Sequence, residues 1–246
     1  MSSFSKEFRQ HLATQHGLGR SSEFLREIVY GGNDGIVTTF AVVAGFAGAG
    51  ATGVAAVGGV AVLLFGLANL LADATSMALG AFLSARSQAD MYKATRAREL
   101  SEIHERPELE RAELFEILRS KDVPEADIHA FAALYQRNPE LLADFMMQNE
   151  IGMVDPSDCN PVLDAVATFL SFLTFGVIPL IPYFLLAPDQ TTFQWSVLAT
   201  FVALVLLGLL RWNVTVESVM RCVAETVAIG SLCAVIAYAV GMAVAG

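Results

Sequence analysis

Charge is the first thing this chain lacks. Residues 35–72 and 191–210 carry no Asp, Glu, Lys or Arg, and charged residues make up only 16% of the 246. Soluble domains carry about a quarter. With 54% hydrophobic residues and a mean hydropathy of +0.53, a fold formed wholly in water is not the reading. Positive charge is the scarcer sign. Fifteen Lys and Arg against 25 Asp and Glu leave a net charge of -10, the wrong balance for following a nucleic-acid backbone. Cysteine is nearly absent: Cys159, Cys222 and Cys233 have neither metal-site nor disulfide spacing and read as structural residues. An early apolar run of the cleavable-signal kind is also missing. The polar opening MSSFSKEFRQHLATQHGLGRSSEF leaves the first span to serve as the insertion signal.

What the chain does have is apolar runs long enough to cross a bilayer, which takes about 20 residues. They fall at about 35–55, 56–84, 162–186, 193–210 and 223–244. The expected fold class is an all-α membrane protein: five transmembrane helices with a cytosolic helical module between spans two and three. The expected division is a cytosolic N-terminal segment (1–33), transmembrane helices 1–2 (34–85), the module (86–160) and transmembrane helices 3–5 (161–246). Small residues at Ala41, Gly45, Gly48, Ala49 and Gly53 suit close helix packing in lipid. Lys6, Arg9, Arg20 and Arg26 precede span one, Arg211 and Arg221 lie between spans four and five, and all other basic residues lie between Arg86 and Arg137. The positive-inside rule then places the N-terminus and the module in the cytosol and the C-terminus outside.

Residues 86–160 are too long and too regular for a loop. Span two is expected to continue as a helix to Glu105. New helices should open at Pro107 (to about Arg119), Pro124 (about 125–137) and Pro139 (about 140–150), since proline suits a first helical turn. Leu114, Ile117, Leu118, Phe131, Leu134, Leu141 and Phe145 are the expected core. Such a small module is marginally stable alone. Its glutamates, Glu99, Glu102, Glu105, Glu108, Glu110, Glu113 and Glu116, recur at helical spacing. A solvated acidic face is one reading and a cation site the other. Glu99 and Glu110 would lie roughly 16 Å apart on a straight helix. A single site therefore needs the chain to fold at Pro107, or there are two sites, or a second chain contributes. Met146 and Met147 beside Glu150 form a mixed thioether and carboxylate set, which points to a transition metal unless both are core filler. His104 and His129 read as surface residues.

Ionisable groups inside spans are costly and functional by default. Asp34 stands at the mouth of span one, where it could simply be an N-cap. Asn69, Asp73 and Met77 share one face of span two and should line a protein interface or a wet pathway. Pro179 and Pro182 should kink span three.

Asn33-Asp-Gly-Ile-Val-Thr-Thr-Phe40, Ser76-Met-Ala-Leu-Gly80, the glutamate-rich helices, Asp144-Phe-Met-Met147 with Glu150, and Pro179-Leu-Ile-Pro-Tyr183 together resemble the vacuolar iron transporter family, collinearly from about Glu23 to Gly241. The resemblance implies a homodimer of five-span protomers that exports Fe²⁺ from the cytosol in exchange for protons. It implies metal ligation by Glu99, Glu102, Glu110, Glu113 and Glu150, with Met146 and Met147 nearby and Glu116 continuing the spacing. It also implies pathway roles for Asp34 and Met77. One departure stands out: where well-known members carry a Glu in span two, this chain has Asn69, with Asp73 one turn further on. Mn²⁺, linked to related members, is the second candidate ion.

The expected partners are the lipid bilayer, divalent metal ions, protons and a second copy of the chain, with no organic cofactor, no enzymatic activity and no nucleic acid. The expected location is multi-pass in a bacterial inner membrane, or in a vacuole-like membrane of a eukaryote. The alternative function is membrane-anchored iron storage or ferroxidase chemistry without transport. Di-iron carboxylate sites add Glu-x-x-His from paired helices, and Ser101-Glu-Ile-His104 has the wrong spacing.

Overall fold

The computed structural model describes residues 24–51, 59–157, 159–186, 190–212 and 217–245. Every regular element among them is helical. The described residues fall into two compact units: one drawn from residues up to Phe82 and from Val162 onward, the other Leu83–Pro161.

The first unit contains α1 (Leu25–Ala51), the first part of α2 (Gly59–Glu105), α6 (Pro161–Gly176), a 3₁₀ turn (Ile178–Leu180), α7 (Ile181–Leu185), α8 (Gln190–Trp212) and α9 (Val219–Ala245). Four of its stretches are long and apolar enough to cross a membrane by length and composition: those in Gly59–Glu105, Pro161–Leu185, Thr191–Trp212 and Val219–Val244. The apolar part of α2 ends before Arg86, where charge begins.

Helix α1 is not among the four, though its 27 residues exceed the necessary length. It carries Glu27, Asp34 and several glycines, and the structure shows why it tolerates them. Ile36, Phe40, Val43 and Ala44 are buried in protein, and a helix surrounded by other helices needs less apolar surface than one facing lipid.

The alternative reading of Asp34 as an N-cap fails: α1 starts at Leu25, so Asp34 lies in its third turn. The run Gly31-Gly32-Asn33-Asp34 resembles a boundary in sequence but is a packing surface. A Cβ on Gly31 would come within 2.9 Å of the Thr168 carbonyl, and one on Gly35 would strike the Phe172 carbonyl. The Ser171 hydroxyl donates to the Ile28 carbonyl at 2.7 Å, binding the same stretch to α6. Further along, Gly48 lies against the Tyr238 carbonyl and Gly241 against the Gly45 carbonyl, so α1 and α9 touch through their backbones. Gly53 lies outside the described residues.

The two prolines break the third apolar run into α6, the 3₁₀ turn and α7. The break keeps its polar groups satisfied: the Ile181 amide donates to the Ile178 carbonyl, and the buried Ser196 hydroxyl of α8 donates to the Pro179 carbonyl at 2.6 Å.

The second unit holds the rest of α2, then α3 (Pro107–Ser120), α4 (Glu125–Gln136) and α5 (Pro139–Asn149). Pro107 and Pro139 each occupy a first turn. Ile103, Leu114, Leu118, Ile128, Ala132, Leu142, Ala143 and Met146 form the core, with Ile117 and Phe145 packed partly against it. Phe131, Leu134 and Leu141 were expected in this core, but each is nearly half exposed. Ala132 and Ala143 take the inner face because small side chains let these short helices approach closely, which turns their larger neighbours outward. None of the three cysteines is in a disulfide: Cys159 is exposed, Cys222 buried and Cys233 half-buried.

Gly48→Ala should lower stability by roughly 1–3 kcal/mol, because the new methyl meets backbone that cannot yield. Gly80→Ala, whose added Cβ meets nothing within 4 Å, should leave stability unchanged or raise it by up to about 1 kcal/mol. Thermal unfolding in detergent compares the two.

Candidate metal centre

The site is built by the chain reversal between α2 and α3. Helix α2 ends at Glu105, Arg106 leaves helical geometry (φ -133°, ψ 51°), and Pro107 starts α3. The reversal brings Glu99 and Glu110 side by side, near enough to share a hydrogen bond. Of the three arrangements open from sequence, this pair takes the fold at Pro107.

Both carboxyls are nearly inaccessible, Glu99 at 5% and Glu110 at 3% exposure. Oε1 of Glu99 and Oε2 of Glu110 are buried with no hydrogen-bond partner. Leaving two charges unpaired there would cost several kcal/mol each. The pair avoids that cost by holding a proton. Burial, then the charge of Glu99 and the hydrogen bond with it, push Glu110 up to about 8. Burial also raises Glu99, helped by the charges of Glu102 and Glu113 and opposed by the hydrogen bond from Glu110. Glu150 is raised by burial and then by Glu113, Glu99 and Glu102. Five of the sequence-predicted carboxylates thus feel one another's charge: Glu99, Glu102, Glu110, Glu113 and Glu150.

Glu116 does not join them. Its side chain is 75% exposed and lies 3.7 Å from Arg119. Met147 is fully buried one turn before Glu150, while Met146 belongs to the apolar core. The turn that ends α5 needs Gly152, at φ +74°, and lets the Met153 amide reach the Met147 carbonyl at 2.8 Å. His104 bonds the Leu100 carbonyl at 2.6 Å, His129 stacks edge-on to Phe115, and both are exposed. Among the described residues, no three His, Cys, Asp or Glu side chains converge tightly enough to grip one ion together. What the fold supplies is a protonated acidic pair with two free oxygens and further carboxylates within electrostatic reach.

In the first unit, Asn69 donates from Nδ2 to Oδ2 of Asp73 at 2.7 Å, so the two share a helix face as their spacing predicts. Asp34 lies within electrostatic range of Asp73. Met77 is partly buried against the Leu70, Ala74 and Phe172 cluster. Thr38 donates to the Asp34 main-chain carbonyl at 2.8 Å.

Two residues escape the sequence reading. Glu27, two helical turns before Asp34 and on the same face, has a buried Oε2 without a partner. Its signal was hidden because α1 seemed to start at residue 35. Arg96 bonds Glu140 and Asp144 across 44 and 48 residues, and nothing in local spacing announces such a pair.

Comparison with known proteins covers nearly the whole chain. The model of the family described as the VIT family matches residues 25–242. The protein named vacuolar iron transporter 1 of Oryza sativa subsp. japonica is 34% identical over 224 residues, 91% of this chain and 86% of that protein. Vacuolar iron transporter 1 of Arabidopsis thaliana is 32% identical, over 89% of this chain and 85% of that protein. The vacuolar iron transporter of Plasmodium berghei (strain Anka) is 29% identical, over 97% and 90%.

The protonated pair has a signed pH consequence. Unfolded glutamates lose their protons near 4.5, whereas folded Glu110 keeps its proton to about 8. Unfolding therefore releases protons between those values, and metal-free stability falls as pH rises through that window. Metal must displace the proton, so apparent affinity should rise with pH up to about 8, with proton release on binding. Glu110→Gln should flatten the stability profile. Thermal melts of the metal-free chain at pH 5 to 8, and Mn²⁺ calorimetry in buffers of different ionisation heat, measure both.

Proposed function

The chain belongs to the VIT family, and from that premise we propose that it is a divalent transition-metal transporter that exports Fe²⁺, with Mn²⁺ as a second substrate, from the cytosol by proton antiport. The relatives that match it are named as transporters, not enzymes. The observation that carries the reading is the set of interacting polar side chains within otherwise apolar helices: Asp34, Asp73 and the Asn69–Asp73 hydrogen bond. A structural scaffold has no use for carboxylates there, whereas ions crossing a bilayer require them.

In this reading residues 86–160 collect metal through Glu99, Glu102, Glu110, Glu113 and Glu150, with Met147 as the buried thioether. Glu116 and Met146 contribute less, given the exposure of the one and the core packing of the other. Carboxylate and thioether hold Fe²⁺ without the tightness of a thiolate or imidazole cage, which suits release. Glu27, Asp34, Asp73 and Met77 then pass the ion across, with Asp73 standing in for a carboxylate at the Asn69 position. Protonation from the far side competes the ion off its carboxylates and couples export to proton entry. The helix α1 is the fifth span, which puts the N-terminus and the collecting module in the cytosol and the C-terminus outside, as the basic residues require. The protein acts as a homodimer in a bacterial inner membrane or a vacuole-like membrane.

Proteoliposomes test this. Anaerobic Fe²⁺ flux should need an imposed pH gradient. Asp34→Asn or Asp73→Asn should each slow it roughly a hundredfold, about 2.7 kcal/mol. Metal bound by the wild type with no flux under any gradient would sink the transport reading in favour of storage.

A further inference from the structure

We propose that Arg96 is the positioning residue of the metal module, setting the register of α5 against α2 so that Met147 and Glu150 meet the glutamates. The inference rests on reading those glutamates as metal ligands, and it begins from how each ligand-bearing element is held. Helix α3 is joined to α2 through the single residue Arg106, so the backbone itself fixes Glu110 and Glu113 near Glu99 and Glu102. Helix α5 has no such tether. It is held by Leu142, Ala143 and Met146 in the apolar core, and apolar contact is non-directional. A shift of α5 by one helical turn would move its side chains about 5.4 Å. Metal coordination tolerates only about 0.2 Å.

Arg96 supplies the missing direction. Its Nε lies 2.7 Å from Asp144 Oδ1 and its terminal nitrogen 2.8 Å from Glu140 Oε2, two carboxylates one turn apart on α5. The same nitrogen reaches the Glu140 carbonyl at 3.5 Å. A planar guanidinium engaging two successive turns fixes both the height and the rotation of the helix it grips. The Arg96 side chain is only 25% exposed and also hydrogen-bonds the buried Tyr92 ring hydroxyl, which holds the fork in place. The spacing matches the ligands on both sides. Glu99 follows Arg96 by one turn on α2, and Met147 follows Asp144 by one turn on α5, with Glu150 three residues later. The comparable ion pair Arg119–Glu125, at 2.8 Å, joins α3 to α4, and α4 carries none of the proposed ligands. That pair provides an internal control for stability without positioning.

The test uses the full chain in detergent, with Mn²⁺ calorimetry beside thermal unfolding. Arg96→Ala should weaken Mn²⁺ binding at least tenfold, and Asp144→Asn should do likewise. The double variant should be no worse than the weaker-binding single one, because both remove one constraint. Arg96→Lys, which keeps the charge but can reach one carboxylate at a time, should recover part of the loss. Arg119→Ala should leave affinity within twofold of wild type. The positioning role is overturned if Arg96→Ala binds Mn²⁺ within twofold of wild type, or if Arg119→Ala loses as much affinity as Arg96→Ala does. Should Arg96→Ala fail to fold, Asp144→Asn and Arg96→Lys decide by the same twofold criterion. A wild-type chain that binds no Mn²⁺ or Fe²⁺ is a different result, and removes the ligand reading on which this inference rests.

Discussion

The burial of Glu99 against Glu110 is the interaction on which the module depends. A folded chain gains nothing by bringing two carboxyls together out of water, and both desolvation and Coulomb repulsion argue against it. The reversal at Arg106 nevertheless forces the contact, and the core around Leu114, Leu118 and Ile128 holds it. The metal-free protein resolves the conflict with a shared proton. Two partnerless oxygens remain, and in the proposed function a cation would relieve what the proton only half relieves. The unfavourable part of the fold is thus the part to which the proposed function assigns metal binding, in line with local rules being broken for function.

The first unit obeys a different constraint. Hydrophobicity drives helices into a bilayer but does not press them together there, so association falls to close packing and to satisfied polar groups. Helix α1 shows both. Gly31 and Gly35 admit α6, Gly48 and Gly241 let α1 meet α9 backbone to backbone, and Ser171 closes on the Ile28 carbonyl. The same glycines that lower the hydropathy of α1 let neighbouring helices close around it. That enclosure is what allows Glu27 and Asp34 to reside on it. At the proline break, the Ser196 hydroxyl performs for the backbone what water would do outside a membrane.

Much of this was legible from sequence because its physics is local. Pro107, Pro124 and Pro139 begin or cap helices by a property of their own ring, so the module's helix boundaries were readable within a residue or two. The Asn69–Asp73 pair was readable because both residues ride one helix. An N-cap at Asp34 was a plausible alternative because a glycine pair beside Asn and Asp looks like a helix start unless one knows that another helix needs those glycines. The inner faces of α4 and α5 were half misjudged for a related reason: Phe131 and Leu141 are more hydrophobic than Ala132 and Ala143, yet the small residues face inward.

By itself the sequence determined the helical class, the apolar stretches, the inserted acidic module and the carboxylates worth watching, since composition, charge placement and helical period act along the chain. Only the tertiary structure decided which of those carboxylates meet, that Oε2 of Glu27 is buried without a partner, and that Arg96 grips Glu140 and Asp144. These outcomes depend on the angle of one reversal at Arg106 and on contacts spanning more than forty residues. No local pattern encodes such contacts, because packing and electrostatics act through space without regard to chain separation.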